Sequence, residues 1–121
     1  MLYVIVFVGA GIGGALRHGV NVWAVRAFGF GFPFGTLIVN VLGSVAVGYV
    51  LTWSADHTHD RWRLLAATGF CGGFTTFSAY AFESMEYLRI GQIGSLALNI
   101  VLNNSLAFAG AVLGVWLHRA Q

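Results

Sequence analysis

The densest run of polar and aromatic side chains in this sequence is Thr68-Gly-Phe-Cys-Gly72-Gly73-Phe-Thr75-Thr76-Phe77-Ser78-Ala79-Tyr80-Ala-Phe82-Glu83. Cys71, the only cysteine, has no base beside it in sequence, which argues against nucleophilic catalysis and for a small packing residue. What the run offers instead is hydroxyls, backbone carbonyls and ring edges. Two adjacent glycines followed by two threonines are poor helix formers, so a helix through them is expected to break. A break frees carbonyls, and unwound carbonyls in the middle of a membrane are one way to hold Na⁺. Phe77 and Tyr80 are three residues apart and share a helical face. The edge of an aromatic ring is electropositive, so the pair could line an anion path without binding the anion tightly. Rings at this spacing also simply pack on one another.

The elements that must position this run are membrane spans. Of 121 residues 58% are hydrophobic and only 8% charged, with six Arg, no Lys, two Asp and two Glu. A soluble domain carries about a quarter charged residues, so there are too few here to cover a globular surface. The composition excludes a disordered chain, a disulfide scaffold and a basic nucleic-acid binder. A transmembrane helix needs roughly 20 apolar residues, and four of them use up the chain. The expected spans are residues 2–23, 35–53, 62–88 and 94–117, a single all-α membrane domain over 1–121. Pro33, the only proline, lies between the first two spans, and Trp23, Trp53, Trp62 and Trp116 fall near span ends, as interfacial anchors should. The first charge, Arg17, follows the first apolar run rather than preceding it, so no cleavable leader is expected.

Gly9-Ala-Gly11-Ile-Gly-Gly14 after an apolar run has the look of a dinucleotide fingerprint. That motif needs an acidic residue about 20 positions on and a βαβ unit, whereas the first acid is Asp56 and only more apolar spans follow. Gly9 and Gly13 are better read as a GxxxG helix-packing surface. Asn99, Asn103, Gly110 and Gly114 form one stripe on the fourth span, and Thr36, Asn40 and Ser44 share a face on the second. Polar side chains at such depth face a bundle interior or a water-filled path. Asp56-His57-Thr58-His59-Asp60 contains four side chains able to ligate a metal, and a short interfacial loop explains them as well.

The charges constrain topology. If four helices alternate across the bilayer, Arg61, Arg63 and Arg119 share one side and Arg17, Arg26 and Arg89 the other. Three against three leaves no positive-inside bias, so the chain is expected to insert both ways up. No acid lies in spans one, two or four. A small four-helix proton-coupled cation or drug exporter would need a carboxylate in its first span, where this chain has Arg17. A path of hydroxyl and amide donors with a cation near its mouth suits an anion better.

Gly69-Phe-Cys-Gly-Gly-Phe-Thr-Thr-Phe-Ser78 resembles the third-helix signature of the Fluc (CrcB) family of fluoride channels. Gly35-Thr-Leu-Ile-Val-Asn40 is similar to that family's second-helix motif, and Gly13-Gly-Ala-Leu-Arg17 to its first-helix motif. The resemblance covers the whole chain in length, span count and motif order. It implies an antiparallel dual-topology homodimer with two pores, in the cell (inner or plasma) membrane, that passes F⁻ by electrodiffusion with no covalent chemistry. It also implies a structural Na⁺ at the dimer centre, held by the backbone carbonyls of Gly72 and Thr75. The family's paired aromatic box maps to Phe77 and Tyr80, its pore asparagine to Asn40 and its vestibule arginine to Arg17. Its polar track maps to Ser78 with Thr76 beside it, its pore-proximal glutamate to Glu83, and a fourth-helix hydroxyl to Ser105. The chain departs from the pattern at Tyr80, where a Phe is usual, and at Ala79, where a hydroxyl residue is usual. A non-transporting structural subunit is the remaining alternative.

Overall fold

The computed structural model describes residues 1–57 and 60–121, all of whose regular structure is helical. Helix α1 spans Leu2–Phe28 and α2 spans Phe34–Asp56. The third segment is two pieces. Asp60–Arg63, a π-helical stretch Leu64–Cys71 and Gly72–Phe74 run on as one rod, α3, which ends at Thr75, and a second helix, α4, covers Phe77–Arg89. Helix α5 spans Ile93–Arg119. Among the described residues, α1, α2 and α5 are each long and apolar enough to cross a membrane. The helices overrun the expected spans, α1 by about a turn past Trp23, because helix and apolar core need not end together. Thr58 and His59 lie outside the described residues, and with them the metal reading of the loop they sit in. Asp56 itself pairs with His118, Oδ2 to Nε2 at 2.8 Å, tying the C-terminal ends of α2 and α5 together.

A bundle in lipid has little hydrophobic force between its helices, so it gains stability from close backbone contact. Here glycines supply that contact at two seams. Along α1 and α3, Gly9 faces Gly69, Gly13 faces the backbone of Phe70 and Phe74, and Gly73 faces Ala10. A Cβ on Gly13 would lie 2.8 Å from Phe74 N, and one on Gly69 would lie 2.9 Å from Val6 O. Along α2 and α5, Gly48, Gly110 and Gly114 do the same, a Cβ on Gly114 falling 2.8 Å from Tyr49 N. The stripe expected on the fourth span is the buried one: Asn99, Asn103, Gly110 and Gly114 are the buried residues of α5. The GxxxG reading of Gly9 and Gly13 holds too, since both are buried against backbone.

Because every close neighbour of a Gly73 Cβ is Ala10 backbone, with Cα at 2.8 Å and C at 2.9 Å, nothing can swing aside. Gly73→Ala is expected to destabilise the bundle by about 1–3 kcal/mol through overpacking. Gly11 has nothing within 4 Å of its Cβ position, so Gly11→Ala should instead be neutral or stabilising by up to about 1 kcal/mol from helix propensity. Thermal unfolding of the two variants in detergent separates these outcomes.

The turn between α4 and α5 is set by Gly91, whose φ of 77° is the left-handed conformation that ends helices. Gln92 N–H donates to Tyr87 C=O at 2.9 Å and Gly91 N–H to Leu88 C=O at 3.2 Å, a Schellman cap. Arg89 closes the same end by gripping Glu86 through two nitrogens, Nη2 to Oε2 at 2.7 Å and Nε to Oε1 at 3.1 Å.

Candidate functional site

The break falls on Thr75 and Thr76, both extended (Thr75 φ −82°, ψ 159°; Thr76 φ −150°, ψ 119°). The glycines before it stay helical, and Gly73 serves the α1 seam. The break is held from α2. Asn40 Oδ1 accepts the Thr76 N–H at 2.8 Å, and Asn40 Nδ2 donates to the Thr76 carbonyl at 3.1 Å. One side-chain amide therefore satisfies both backbone groups of the central residue of the break, as a neighbouring strand would. Thr76 Oγ1 accepts the Ala79 N–H at 3.1 Å, the N-cap that starts α4. Asn40 Nδ2 also reaches Asn103 Oδ1 at 3.0 Å, Asn103 Nδ2 reaches Asn99 Oδ1 at 2.9 Å, and Asn99 Nδ2 reaches Ser84 Oγ at 3.1 Å. The three amides run head to tail from the break through the centre of the bundle to α4. Asn99 is fully buried, Asn103 and Thr76 nearly so (5% and 6% exposed), and each has its partners, as burial requires.

These bonds have a consequence for the carbonyls just before the break. In a continuous helix Gly72 C=O would accept from Thr76 N–H, and Thr75 C=O from Ala79 N–H. Both donors are taken, by Asn40 and by Thr76 Oγ1 respectively, and the Thr75 N–H goes to Cys71 C=O at 2.9 Å. The carbonyls of Gly72 and Thr75 are thus released, as are those of Gly73 and Phe74, whose helical donors would be the first N–H groups of the next helix, and Gly72 and Thr75 both line the cleft. Hard carbonyl oxygens with no helical donor are the donor set a monovalent cation such as Na⁺ takes. The start of α4 lies at the same break, where its first N–H groups have no helical acceptor and the helix dipole is positive. The break therefore presents a cation-seeking and an anion-seeking helix end together.

The cleft beside the break has a volume of about 410 Å³ and is lined by Asn40, Gly43, Ser44, Thr75, Thr76, Phe77, Tyr80, Asn103 and Asn104, with apolar residues between them. Gly43 is required there, since a Cβ would run into the Thr75 side chain. Phe77 and Tyr80 pack with ring centroids 5.5 Å apart, tilted by 57°. The Phe77 ring is 78% exposed in the single chain. Ser78 is exposed, its hydroxyl 3.3 Å from Thr76 Oγ1.

The structure brings Asn40, Thr76, Phe77, Tyr80, Gly72 and Thr75 to one cleft, with Ser78 at its edge. It puts Glu83 elsewhere. The opposite face of α4 carries Ala79, Phe82, Glu83 and Glu86 into a second cleft of about 360 Å³ with Thr36, Asn21 and the Phe30–Phe34 loop. There Thr36 Oγ1 donates to Glu83 Oε1 at 2.5 Å, while Oε2 is buried with no partner among the described residues. Ala79, the departure noted in the sequence, therefore bears on the Glu83 cleft and not on the aromatic one. Arg17 is half-buried on α1, about three turns before the helix ends, and lines neither cleft. Ser105 is exposed on α5, its hydroxyl turned back to Val101 C=O at 2.5 Å.

Asn104, which the sequence marks only as a polar neighbour of the fourth-span stripe, belongs to this site. Its Nδ2 donates to Tyr80 Oη at 3.1 Å and to Ile100 C=O at 2.8 Å. The sequence signal for its role is a tyrosine where the resemblance asks for Phe, with an amide beside the stripe.

A sequence profile of the family described as "CrcB-like protein, Camphor Resistance (CrcB)" matches residues 4–115. The chain is 42% identical over 121 residues to the "Fluoride-specific ion channel FluC 2" of Nitrobacter hamburgensis, with 98% of each chain covered. It is 40% identical over 121 residues to the "Fluoride-specific ion channel FluC" of a Roseiflexus species, again with 98% of each covered. To the protein of that name from Methylobacterium nodulans it is 44% identical over 108 residues, 88% of this chain and 86% of the relative. With the match to the family profile running through all five helices and the break between α3 and α4, the chain is a membrane protein that belongs to the CrcB-like family.

Proposed function

We propose that this protein is a fluoride channel of the cell (inner) membrane, in which the third segment crosses the bilayer as the broken pair α3 and α4, making four spans. Two copies assemble antiparallel, and the released carbonyls of Gly72 and Thr75 from each hold one Na⁺ at the centre. The observation that carries the reading is the break at Thr75–Thr76 held open by Asn40, with Phe77 and Tyr80 on the cleft beside it. The names and full-length similarity of its relatives support the choice of anion.

Along the cleft, fluoride meets uncharged donors and ring edges at several weak sites in series, which is how a filter binds an ion and still lets it leave. Phe77 contributes a positive ring edge on the exposed side, where a second copy would close the path. Arg17 raises the anion concentration at a mouth, and Ser78, Ser105 and Glu83 border the route once two chains are together. The equal split of arginines across the expected membrane supports dual insertion. Neutral HF enters cells and dissociates inside, and an inside-negative potential drives F⁻ out with about 2.3 kcal/mol per 100 mV.

Liposomes holding only the purified protein test this. The expected result is passive fluoride efflux with chloride retained. Absence of passive anion flux would sink the channel, and proton-coupled cation uptake in its place would favour an exporter.

A further inference from the structure

Tyr80 carries a hydroxyl into the aromatic cleft, and the hydrogen bonds around it settle which way it can act. Asn104 Nδ2 sits 2.8 Å from the Ile100 carbonyl. A carbonyl oxygen only accepts, so the atom facing it must be the amide nitrogen, and this fixes the orientation of the Asn104 amide. The same nitrogen lies 3.1 Å from Tyr80 Oη. It spends one hydrogen on Ile100 and the other on the phenol, which forces Tyr80 Oη to be the acceptor in that pair. The single phenolic proton then has no acceptor among the described residues, and Tyr80 and Asn104 both line the cleft. Accepting a hydrogen bond also polarises the O–H and strengthens it as a donor.

We infer that the Tyr80 hydroxyl donates a hydrogen bond to the permeating anion, and that Asn104 is the positioning residue that turns its proton into the cleft. This rests on the channel reading above and deepens it, because it gives the aromatic pair one true donor alongside its ring edges. A charge-assisted O–H bond is short and strong with a small, hard anion. Tyr80 therefore acts as a specificity-determining residue favouring fluoride over chloride.

The test is current across planar bilayers against fluoride concentration, with the chloride permeability ratio measured alongside. The wild-type protein is compared with Tyr80→Phe, Asn104→Leu and the double variant. Tyr80→Phe keeps the ring, and is expected to raise the half-saturating fluoride concentration about tenfold and to lower the fluoride-to-chloride ratio. Asn104→Leu keeps the volume and should give about a threefold rise in the Tyr80 protein. In the Tyr80→Phe background it should add nothing, a result that a merely structural role for Asn104 would not produce. Unchanged saturation and selectivity in Tyr80→Phe, beside a wild type that conducts fluoride, overturns this inference alone. So does an Asn104→Leu effect of equal size with and without the tyrosine hydroxyl. A wild type that passes no fluoride overturns the channel reading and this inference with it.

Discussion

Fluoride efflux from liposomes holding the Phe77→Ile protein is expected to fall to the protein-free baseline, at least a hundredfold below wild type, with the assembly intact by size-exclusion chromatography. The reasoning separates conduction from folding. Phe77 is 78% exposed in the chain, and its one ring partner among the described residues is Tyr80, 5.5 Å away between centroids. Isoleucine leaves the backbone bonds of Asn40 and Thr76 untouched and conserves apolar bulk, so stability should change by less than about 1.5 kcal/mol. What it removes is the ring edge, the electropositive feature that lets an apolar side chain sit beside an anion. In the low dielectric of a membrane protein, losing even one weak site in a series raises a barrier that neighbours cannot offset. Efflux at the wild-type rate from Phe77→Ile would mean that the anion does not travel along this face of α4.

Asn40→Leu should be the most damaging change to the fold at the site. Asn40 takes the N–H of Thr76 and donates to its C=O, and it also donates to Asn103. Leucine leaves three polar groups without those partners, at a residue that is 6% exposed in one case and 5% in the other. Stranding a buried group costs about 1–3 kcal/mol, while interhelical side-chain hydrogen bonds in membranes average about 0.6 kcal/mol because their partners find substitutes. The larger figure applies here. The Thr76 N–H is a backbone group, and its substitute is for the helix to close so that it returns to Gly72 C=O. Either outcome removes conduction. The measurements are a lowered unfolding midpoint in detergent and fluoride efflux reduced at least tenfold. Asn40→Asp keeps an acceptor for Thr76 N–H and loses both donor roles, so it should fall between wild type and Asn40→Leu. Wild-type stability and flux in Asn40→Leu would show that the break holds without its α2 partner.

Much of this molecule is local and was therefore readable along the chain. Charge scarcity and the lengths of the apolar runs give the helices, because lipid lets the backbone satisfy itself within a single segment. Gly9 with Gly13, and Asn99, Asn103, Gly110 and Gly114, announce packing faces through their spacing, since a helix repeats every 3.6 residues whatever surrounds it. Paired glycines and threonines mark a weak point in the third segment, and Phe77 with Tyr80 shares a face for the same geometric reason.

Which residue pairs with which across the bundle is not local, and only the tertiary structure decided it. The sequence marks Asn40 as polar at depth but not as the group that takes both backbone atoms of Thr76. Of the glycines and threonines that mark the weak point, the glycines remain helical, Gly73 packed on Ala10 of α1, and the threonines open. Tyr80 and Glu83 are three residues apart on α4, the spacing that puts Phe77 and Tyr80 on one face. They nonetheless line different clefts, because other parts of the chain pack against each side of the helix. The Ser105 hydroxyl turns to its own helix and the Asn104 amide to Tyr80, because a side chain settles on whichever partner the packed bundle brings within about 3 Å. Periodicity tells which residues share a helix face, and the packing of one helix on another tells what that face will touch.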